Sequence, residues 1–366
     1  MPERTLTLCE LNRATLARQM LLDRETLPVL DAVGRLVGLQ AQVPSPPFVG
    51  LWTRLQDFRR DDLTRLMSER LVVRATLMRA TLHLMSAADY LLLRPALQPA
   101  LTRSLQGIAG RRMQGIDVDE LVATVREFFA REPRAFAELS AVLSELLPDR
   151  DPSALAYAVR THLPLVQVPS GSTWGYSGRI PFTPAESWLG EPLATSQDPR
   201  NLFFRYLAAF GPASVMDFQA WSGLTRTKEK IEALKPELRS FRDEKGNELL
   251  DLPDAPLPPE DVPAPVRFVP DYDNLILSHA DRTRVIADVY RPKVFLSAAR
   301  VRATFLVDGF VRGAWKIEKY RRAAALVLEP FEPLADEHRH ALTEEGERLA
   351  RFVADGAEAV EIRFTE

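Results

Sequence analysis

Three times in the first 250 residues, apolar side chains spaced three to four apart give way to a short alternating or glycine-bearing stretch, and this recurrence constrains the fold more than any other feature. In the first copy Leu11, Leu16 and Met20, then Leu27, Leu30, Val33 and Val37, keep helical spacing. Gly38 suits a helix end, and Pro44, Pro46 and Pro47 forbid continuation. Helices are expected over 48–56 and from about residue 61, and strands within 71–85. There Arg79, Thr81 and His83 alternate with Ala80, Leu82 and Leu84, which predicts one polar and one apolar sheet face.

The second copy has helices over 118–130, 136–147 and 153–162, then strands over 165–168 and 176–182 joined through Gly171 and Gly175. In the third, a helix over 202–210 is broken by Gly211 and Pro212. Ser214 with Asp217 makes a capping-box-like start, closed at Trp221, Ser222 and Gly223. Thr225 can cap a basic helix carrying Arg226, Lys228, Lys230 and Lys235, and Lys245, Gly246 and Asn247 turn a wing. Each copy reads as a winged helix-turn-helix.

Six prolines, Pro253, Pro256, Pro258, Pro259, Pro263 and Pro265, then resist both helix and central strand and predict a linker. Beyond it, short strands are expected at Phe268 and over 275–277, 294–296, 303–307, 311–317 and 325–328, with Asp308 and Gly309 as a two-residue hairpin turn. These predict a small barrel, followed by a helix over 335–353 and a strand over 359–364. The expected class is α+β: winged-helix units at 1–112, 113–195 and 196–252, and a linker, β-barrel and helix at 253–366.

Composition excludes several classes. At 46% hydrophobic and 27% charged residues the chain matches a globular protein, and no apolar run approaches the roughly 20 residues that span a bilayer. Glu3, Arg4 and Glu10 interrupt any leader-like apolar region, so a cytoplasmic, nucleoid-associated protein is expected. One cysteine, Cys9, rules out an intrachain disulfide framework and cysteine-based metal sites. His162, His279, His338 and His340 lack metal-ligand spacing, and no phosphate-binding glycine loop, nucleophile elbow or nucleotide fingerprint is present; neither metal nor cofactor is expected. The net charge of −3 hides an asymmetry: residues 243–281 carry −8 and residues 331–366 carry −6, leaving +11 on the rest. A basic body suits a polyanion partner, although a mixed solvated surface would look the same.

Gln40 and Gln42 follow the helix end at Gly38 and precede Val43, which Pro44 pushes toward extended backbone. Extended residues i and i+2 share a face, so the two carboxamides would sit side by side. Glutamine is no strong base at neutral pH, so such a pair can assist only a reaction whose leaving group departs readily. The same amides would equally satisfy loose backbone groups at a helix end. Arg74, Arg79, Thr81 and His83 on the first hairpin suit phosphate contacts, or are ordinary surface groups. Asp271, Tyr272, Asp273 and Asn274 with Ser278, His279, Ala280, Asp281 and Arg282 form a polar cluster suited to acid–base work or to turn capping.

Taken in order, Gly38, Leu39, Gln40, Ala41 and Gln42 with Gly50, Leu51 and Trp52; Thr76, Leu77, Met78, Arg79, Thr81, Leu82 and His83; Trp174 and Gly175; Phe210, Gly211, Pro212 and Ala213; and Asp273, Asn274, Leu275 and Ser278 to Arg282 resemble the AlkZ-type bacterial DNA glycosylases over essentially the whole chain. The resemblance implies three tandem winged helices and a β-barrel in a C around duplex DNA, and excision of alkylated purines, including bulky adducts and interstrand crosslinks. The family's catalytic glutamine pair maps onto Gln40 and Gln42. A related branch has aspartate at the second position; this chain does not, which favours crosslink unhooking. The family's essential cleft hairpin is expected at Asp308 and Gly309, with the turn near Arg291 and Pro292 competing. Arg312 and Lys316 join Arg74, Arg79, Thr81 and His83 as expected DNA-binding residues.

The implied chemistry suits amides. Alkylation at purine N7 or N3 makes the base cationic, so it leaves neutral without a strong general acid. Carbonyl dipoles can then stabilise the sugar cation and aim a water. The competing readings are a non-catalytic winged-helix regulator and an effector-sensing protein whose barrel holds a small molecule. Regulators of that kind bind palindromes as dimers, whereas three motifs in one chain can embrace DNA as a monomer.

Overall fold

The computed structural model describes residues 4–297 and 299–365, and its architecture is α+β. Strand β1 (Thr5–Leu6) leads into the helix Leu8–Arg18, whose start is set by a reciprocal capping box between Thr7 and Glu10. The helix Val29–Arg35 ends at Val37 and Gly38, both at positive φ, and the chain enters β2 (Leu39–Gln40). The helices Pro46–Trp52 and Arg60–Ser68 follow, then β3 (Val72–Thr76) and β4 (Leu82–Ser86). The strands fall where expected, with β4 running one residue past the stretch. The polar alternation does not survive: residues 78–80 form a tight helical turn with Arg79 at φ 55° and Ala80 at φ 57°, so the strand resumes only at Leu82.

The helices Val118–Arg131, Phe136–Leu146 and Pro152–His162 precede β5 (Leu165–Gln167) and β6 (Phe182–Pro184). The strand expected over 176–182 is instead a loop apart from Phe182. Gly175 and Gly178 adopt positive φ there, and Tyr176 is buried in a cluster with Phe48 and Met67 of the first unit. That packing competes with strand pairing and wins. Ala75 pairs with Val166, so the first two hairpins merge into one sheet ordered β2-β4-β3-β5-β6.

The third unit contains the helices Arg200–Phe210 and Val215–Ser222, the latter with the expected Ser214 and Asp217 capping box and Gly223 in the left-handed region. The basic helix is shorter than expected. It covers only Lys228–Glu232 and starts after Thr227 rather than Thr225; Pro236, lacking an N–H, stops it being extended. β7 (Arg239–Asp243) and β8 (Glu248–Asp251) form the wing, and β1 adds to β7 in parallel.

The C-terminal strands β9 (Arg267–Val269), β10 (Thr304–Val307), β11 (Phe310–Lys319), β12 (Ala323–Pro330) and β13 (Ala359–Phe364) make an open sheet in the order β13-β12-β11-β10-β9, not a closed barrel. The reason is the helix Asp336–Val353, which connects β12 to a parallel β13 and lays Leu342, Leu349 and Ala350 on Phe268, Phe305, Leu326 and Leu328. Once a helix covers the apolar face, the sheet need not close on itself. One expected strand is helical throughout and another at its first residue, Val294, after which Phe295 makes only a single bridge to Val301. Asp273 accepts the Leu275 N–H at 2.9 Å and starts the helix Asn274–Leu277, and Pro292 opens the helix Arg291–Val294.

Candidate active site

The glutamine segment is aimed by the turn before it. Gly38 has φ 89°, and a Cβ there would lie 3.0 Å from the Leu84 carbonyl oxygen, so only glycine lets the chain swing this close onto β4. Leu39 then pairs with Leu84 and Gln40 with His83, and the Ala41 N–H bonds the Leu82 carbonyl at 2.7 Å. Ala41 points into the core while Gln40, 7% exposed, and the exposed Gln42 lead from the core edge to the surface.

Their partners settle the orientation of both amides. Arg79 Nη2 donates to Gln40 Oε1 at 2.7 Å, and the Leu82 N–H donates to Gln42 Oε1 at 2.7 Å. A guanidinium and a backbone N–H can only donate, so the atoms facing them must be the oxygens. Both NH2 groups therefore turn away, with no protein hydrogen bond among the described residues. Each oxygen already accepts one bond, Gln42 satisfying a backbone N–H, and keeps a second lone pair.

Of the expected DNA-binding residues on this hairpin, three belong to the scaffold of the glutamines. Arg74, 2% exposed, donates from Nε to the Ala41 carbonyl at 2.8 Å, from Nη2 to the Gln42 carbonyl at 3.3 Å, and from Nη1 to Gln167 Oε1 at 2.6 Å. Its guanidinium lies 4.9 Å from the Tyr176 ring centroid, and burial lowers its pKa to about 10. Arg79 donates to Gln40, to the Trp221 carbonyl and to Asn274 Oδ1 at 3.1 Å. Burial, reinforced by Arg282, likewise lowers it to about 10.

His83 is fully buried. Its Nδ1 lies 3.1 Å from the Thr81 carbonyl, which only accepts, so Nδ1 carries the proton and the bare Nε2 faces Arg79 Nη2 at 3.4 Å. Burial first and Arg79 second hold its pKa down to about 3, so the ring is neutral at physiological pH. Arg74 and His83 are therefore not presented to phosphates: β5 and β6 extend the sheet, and residues from the second, third and C-terminal units close over it. Thr81 is half-buried and donates to the Met78 carbonyl at 3.1 Å.

A consequence for stability follows. Unfolded His83 ionises near 6.5 and folded His83 near 3, so its contribution is complete above about 6.5 and is lost as pH falls toward 3. The loss is on the order of several kcal/mol. Urea midpoints measured near neutral pH and again at about pH 4.5 should fall further in the wild type than in His83→Gln. Equal falls would mean that the folded ring takes up the proton freely.

The remaining candidates lie apart from the glutamines. The Asp308–Gly309 tip is docked on the first long helix: Asn12 Nδ2 donates to the Gly309 carbonyl at 2.9 Å and Arg13 pairs with Asp308 at 2.5 Å. It therefore does not project freely, and the competing turn at Arg291 and Pro292 is helical. Arg312 pairs with Glu332 at 2.9 Å, and the exposed Lys316 with Glu318 at 2.7 Å. The turn between β11 and β12, with Tyr320 56% exposed, was not singled out by sequence reasoning. Within the polar cluster Asp273 caps and ion-pairs, Asp217 accepts the Ala280 N–H at 2.8 Å, and His279 contacts the Phe210 carbonyl at 3.0 Å. Asn274 does reach the site, and a cleft of about 10 Å³, room for one water, is lined by Gln40, Asp271, Asp273 and Asn274 among others.

The sequence model of the family described as "DNA glycosylase AlkZ-like" matches residues 33–352, a span that contains Gln40, Gln42, Arg79 and Asn274. The chain belongs to the AlkZ-like DNA glycosylases. An "Interstrand DNA cross-link repair glycosylase" of Streptomyces sahachiroi is 26% identical over 379 residues, covering 95% of this chain and 96% of the relative. The structure of the Streptomyces sahachiroi DNA glycosylase AlkZ matches with a TM-score of 0.82 at 22% identity, covering 99% of this chain and 100% of that one, a likeness of fold. As an AlkZ-like enzyme the chain acts on N-glycosidic bonds of DNA. Most of the AlkZ-like site's support was invisible in sequence: Gln167, Trp221 and Asn274 come from 80 or more residues downstream of Arg74 and Arg79.

Proposed function

We propose that this chain is a monofunctional glycosylase that hydrolyses the N-glycosidic bond of alkylated purines, including bulky N7-guanine adducts and interstrand crosslinks, with Gln40 and Gln42 as the catalytic pair. In this reading the three helix-and-hairpin units act as winged helices that hold duplex DNA in a C-shaped cleft, as a monomer. One observation carries the proposal: among the described residues the side chains that touch the two amides are arginine and histidine, and the carboxylates of the cleft beside Gln40 are already engaged, Asp273 by Arg54 and Asp271 by the Ala303 N–H. Amides do not titrate, His83 is neutral and buried, and Arg79 stays charged. Such a site can cleave only a bond whose base departs unaided, as a cationic N7- or N3-alkylpurine does.

The division of labour follows from the hydrogen bonds. Gln42 Oε1 retains a lone pair for the attacking water, and the Gln40 NH2 is free to donate to an oxygen of the sugar, phosphate or base. An open cleft suits lesions too bulky for a flipping pocket. The name of the Streptomyces relative, a crosslink repair glycosylase, supports the wider substrate range.

The test is release of 7-methylguanine from a methylated duplex, and unhooking of a defined N7-guanine crosslink. The pH profile is equally telling. With no histidine or carboxylate titrating in the mechanism, single-turnover release should be flat between about pH 5.5 and 8.5. A bell centred near neutrality would assign the chemistry to a general acid or base instead. A site-specific footprint without base release from any alkylated duplex would favour the regulator.

A further inference from the structure

We propose that Arg79 is a positioning residue for base release, one that decides which edge of the Gln40 amide meets the substrate; this rests on the proposed role of Gln40. Arg79 Nη2 meets three acceptors: Gln40 Oε1 at 2.7 Å, Asn274 Oδ1 at 3.1 Å and His83 Nε2 at 3.4 Å. The last two are themselves fixed. Asn274 Nδ2 donates to the Gly38 carbonyl at 3.1 Å, which turns its oxygen toward Arg79, and the Thr81 carbonyl fixes the His83 tautomer. Rotating the Gln40 amide by half a turn would set NH2 against guanidinium, donor against donor. The clamp thus keeps the oxygen inward and the NH2 outward, and polarises the carbonyl so that the NH2 donates more strongly.

Arg79 is in turn held from the third unit. Its Nη1 donates to the Trp221 carbonyl, in the last turn of the helix Val215–Ser222, where carbonyls lack helical partners and the dipole favours a cation. A Cβ on Gly223 would lie 3.1 Å from both Arg79 N and Cα, so the turn sits directly on that glycine. No carboxylate pairs with Arg79 among the described residues. A half-buried guanidinium satisfied by neutral acceptors still loses part of its hydration. A role in orienting Gln40 accounts for it, whereas a core built for stability alone would favour an apolar side chain.

The competing assignment is a phosphate contact, and the two separate cleanly. With a duplex carrying one 7-methylguanine, Arg79→Ala and Arg79→Lys should each slow single-turnover release by about 100-fold, the scale of losing one oriented donor, because lysine has no planar fork to hold the Trp221 carbonyl with one nitrogen and the Gln40 oxygen with another. Duplex affinity should stay within about twofold, with an unchanged salt slope. The Arg79→Ala, Gln40→Ala double variant should be within about threefold of Gln40→Ala alone, since both remove one device. Should Arg79→Ala fail to fold, Arg79→Lys and Gly223→Ala, which presses on the Arg79 backbone from outside the site, carry the same expectation. Weakened affinity with a salt slope shallower by about one would assign Arg79 to a phosphate and overturn the proposal. Multiplying rate losses in the double variant, or wild-type rates in all the Arg79 variants, would overturn it too. If the wild type releases no base, it is the assignment of function that fails, a result read before any variant is compared.

Discussion

The variant carrying Gln40→Ala and Gln42→Ala should fold, bind duplex DNA with near wild-type affinity, and release 7-methylguanine on the order of 1,000-fold more slowly. Folding should survive because Gln42 is exposed and Gln40 has one hydrogen-bonded neighbour, Arg79, which keeps the Trp221 and Asn274 oxygens as acceptors. Affinity should survive because neither amide is charged, and binding to duplex is dominated by phosphate neutralisation. The rate should not, since removing one oriented transition-state partner costs about 100- to 1,000-fold, and two groups acting on one sugar are not expected to multiply in full. Single-turnover release with chromatographic quantitation of free base is the measurement. A double variant within a few-fold of wild type would remove the glutamines from the mechanism and leave their amides as caps of the Gly38 turn.

Asp273→Ala should destabilise the protein by about 3–5 kcal/mol, the cost of stripping one partner from a buried ion pair. Arg54 and Asp273 are 1% and 3% exposed and make a two-pronged contact, Nη1 to Oδ2 at 2.9 Å and Nη2 to Oδ1 at 2.8 Å. Without the carboxylate, the guanidinium keeps the Gly50 and Gln19 carbonyls but faces an uncompensated desolvation cost. The Asp273 cap on Leu275 is lost in the same step, freeing the start of the helix that presents Asn274 to Arg79. Urea unfolding of the variant against wild type reads the difference directly. A loss below about 1 kcal/mol would mean that water reaches Arg54 once the aspartate is gone, and that the two units are joined mainly by apolar packing.

Much of the site's first layer was legible in one stretch of chain. Gly38 marks a helix end, and the short extended stretch after it is legible from local rules; it reaches only Gln40, since residues 42–45 bend into the next helix. The first hairpin was legible as strands but not in its facing. Alternation identifies two faces of a sheet and cannot say that both are covered, so Arg74 and His83 were read toward solvent when they lie in the interior. The setting of Arg79 was hidden for another reason. The residue takes a left-handed φ in a turn that packs against Gly223, some 140 residues away, and no local propensity asks for it. The C-terminal barrel failed similarly: short strands with tight turns look alike whether the sheet closes or a helix covers it.

By itself the sequence determined what depends on neighbours within a few residues: many helix starts and stops, the Ser214 and Asp217 capping box, the Asp308 and Gly309 turn and the helix end at Gly38 that precedes Gln40. The tertiary structure alone decided which polar side chains are buried, which way each amide is turned, and which groups from the second, third and C-terminal units converge on the first. The physical reason is range. Backbone sterics and local hydrogen bonds act over a turn or two, whereas desolvation and the choice of hydrogen-bond partner depend on every atom packed nearby, however distant in the chain.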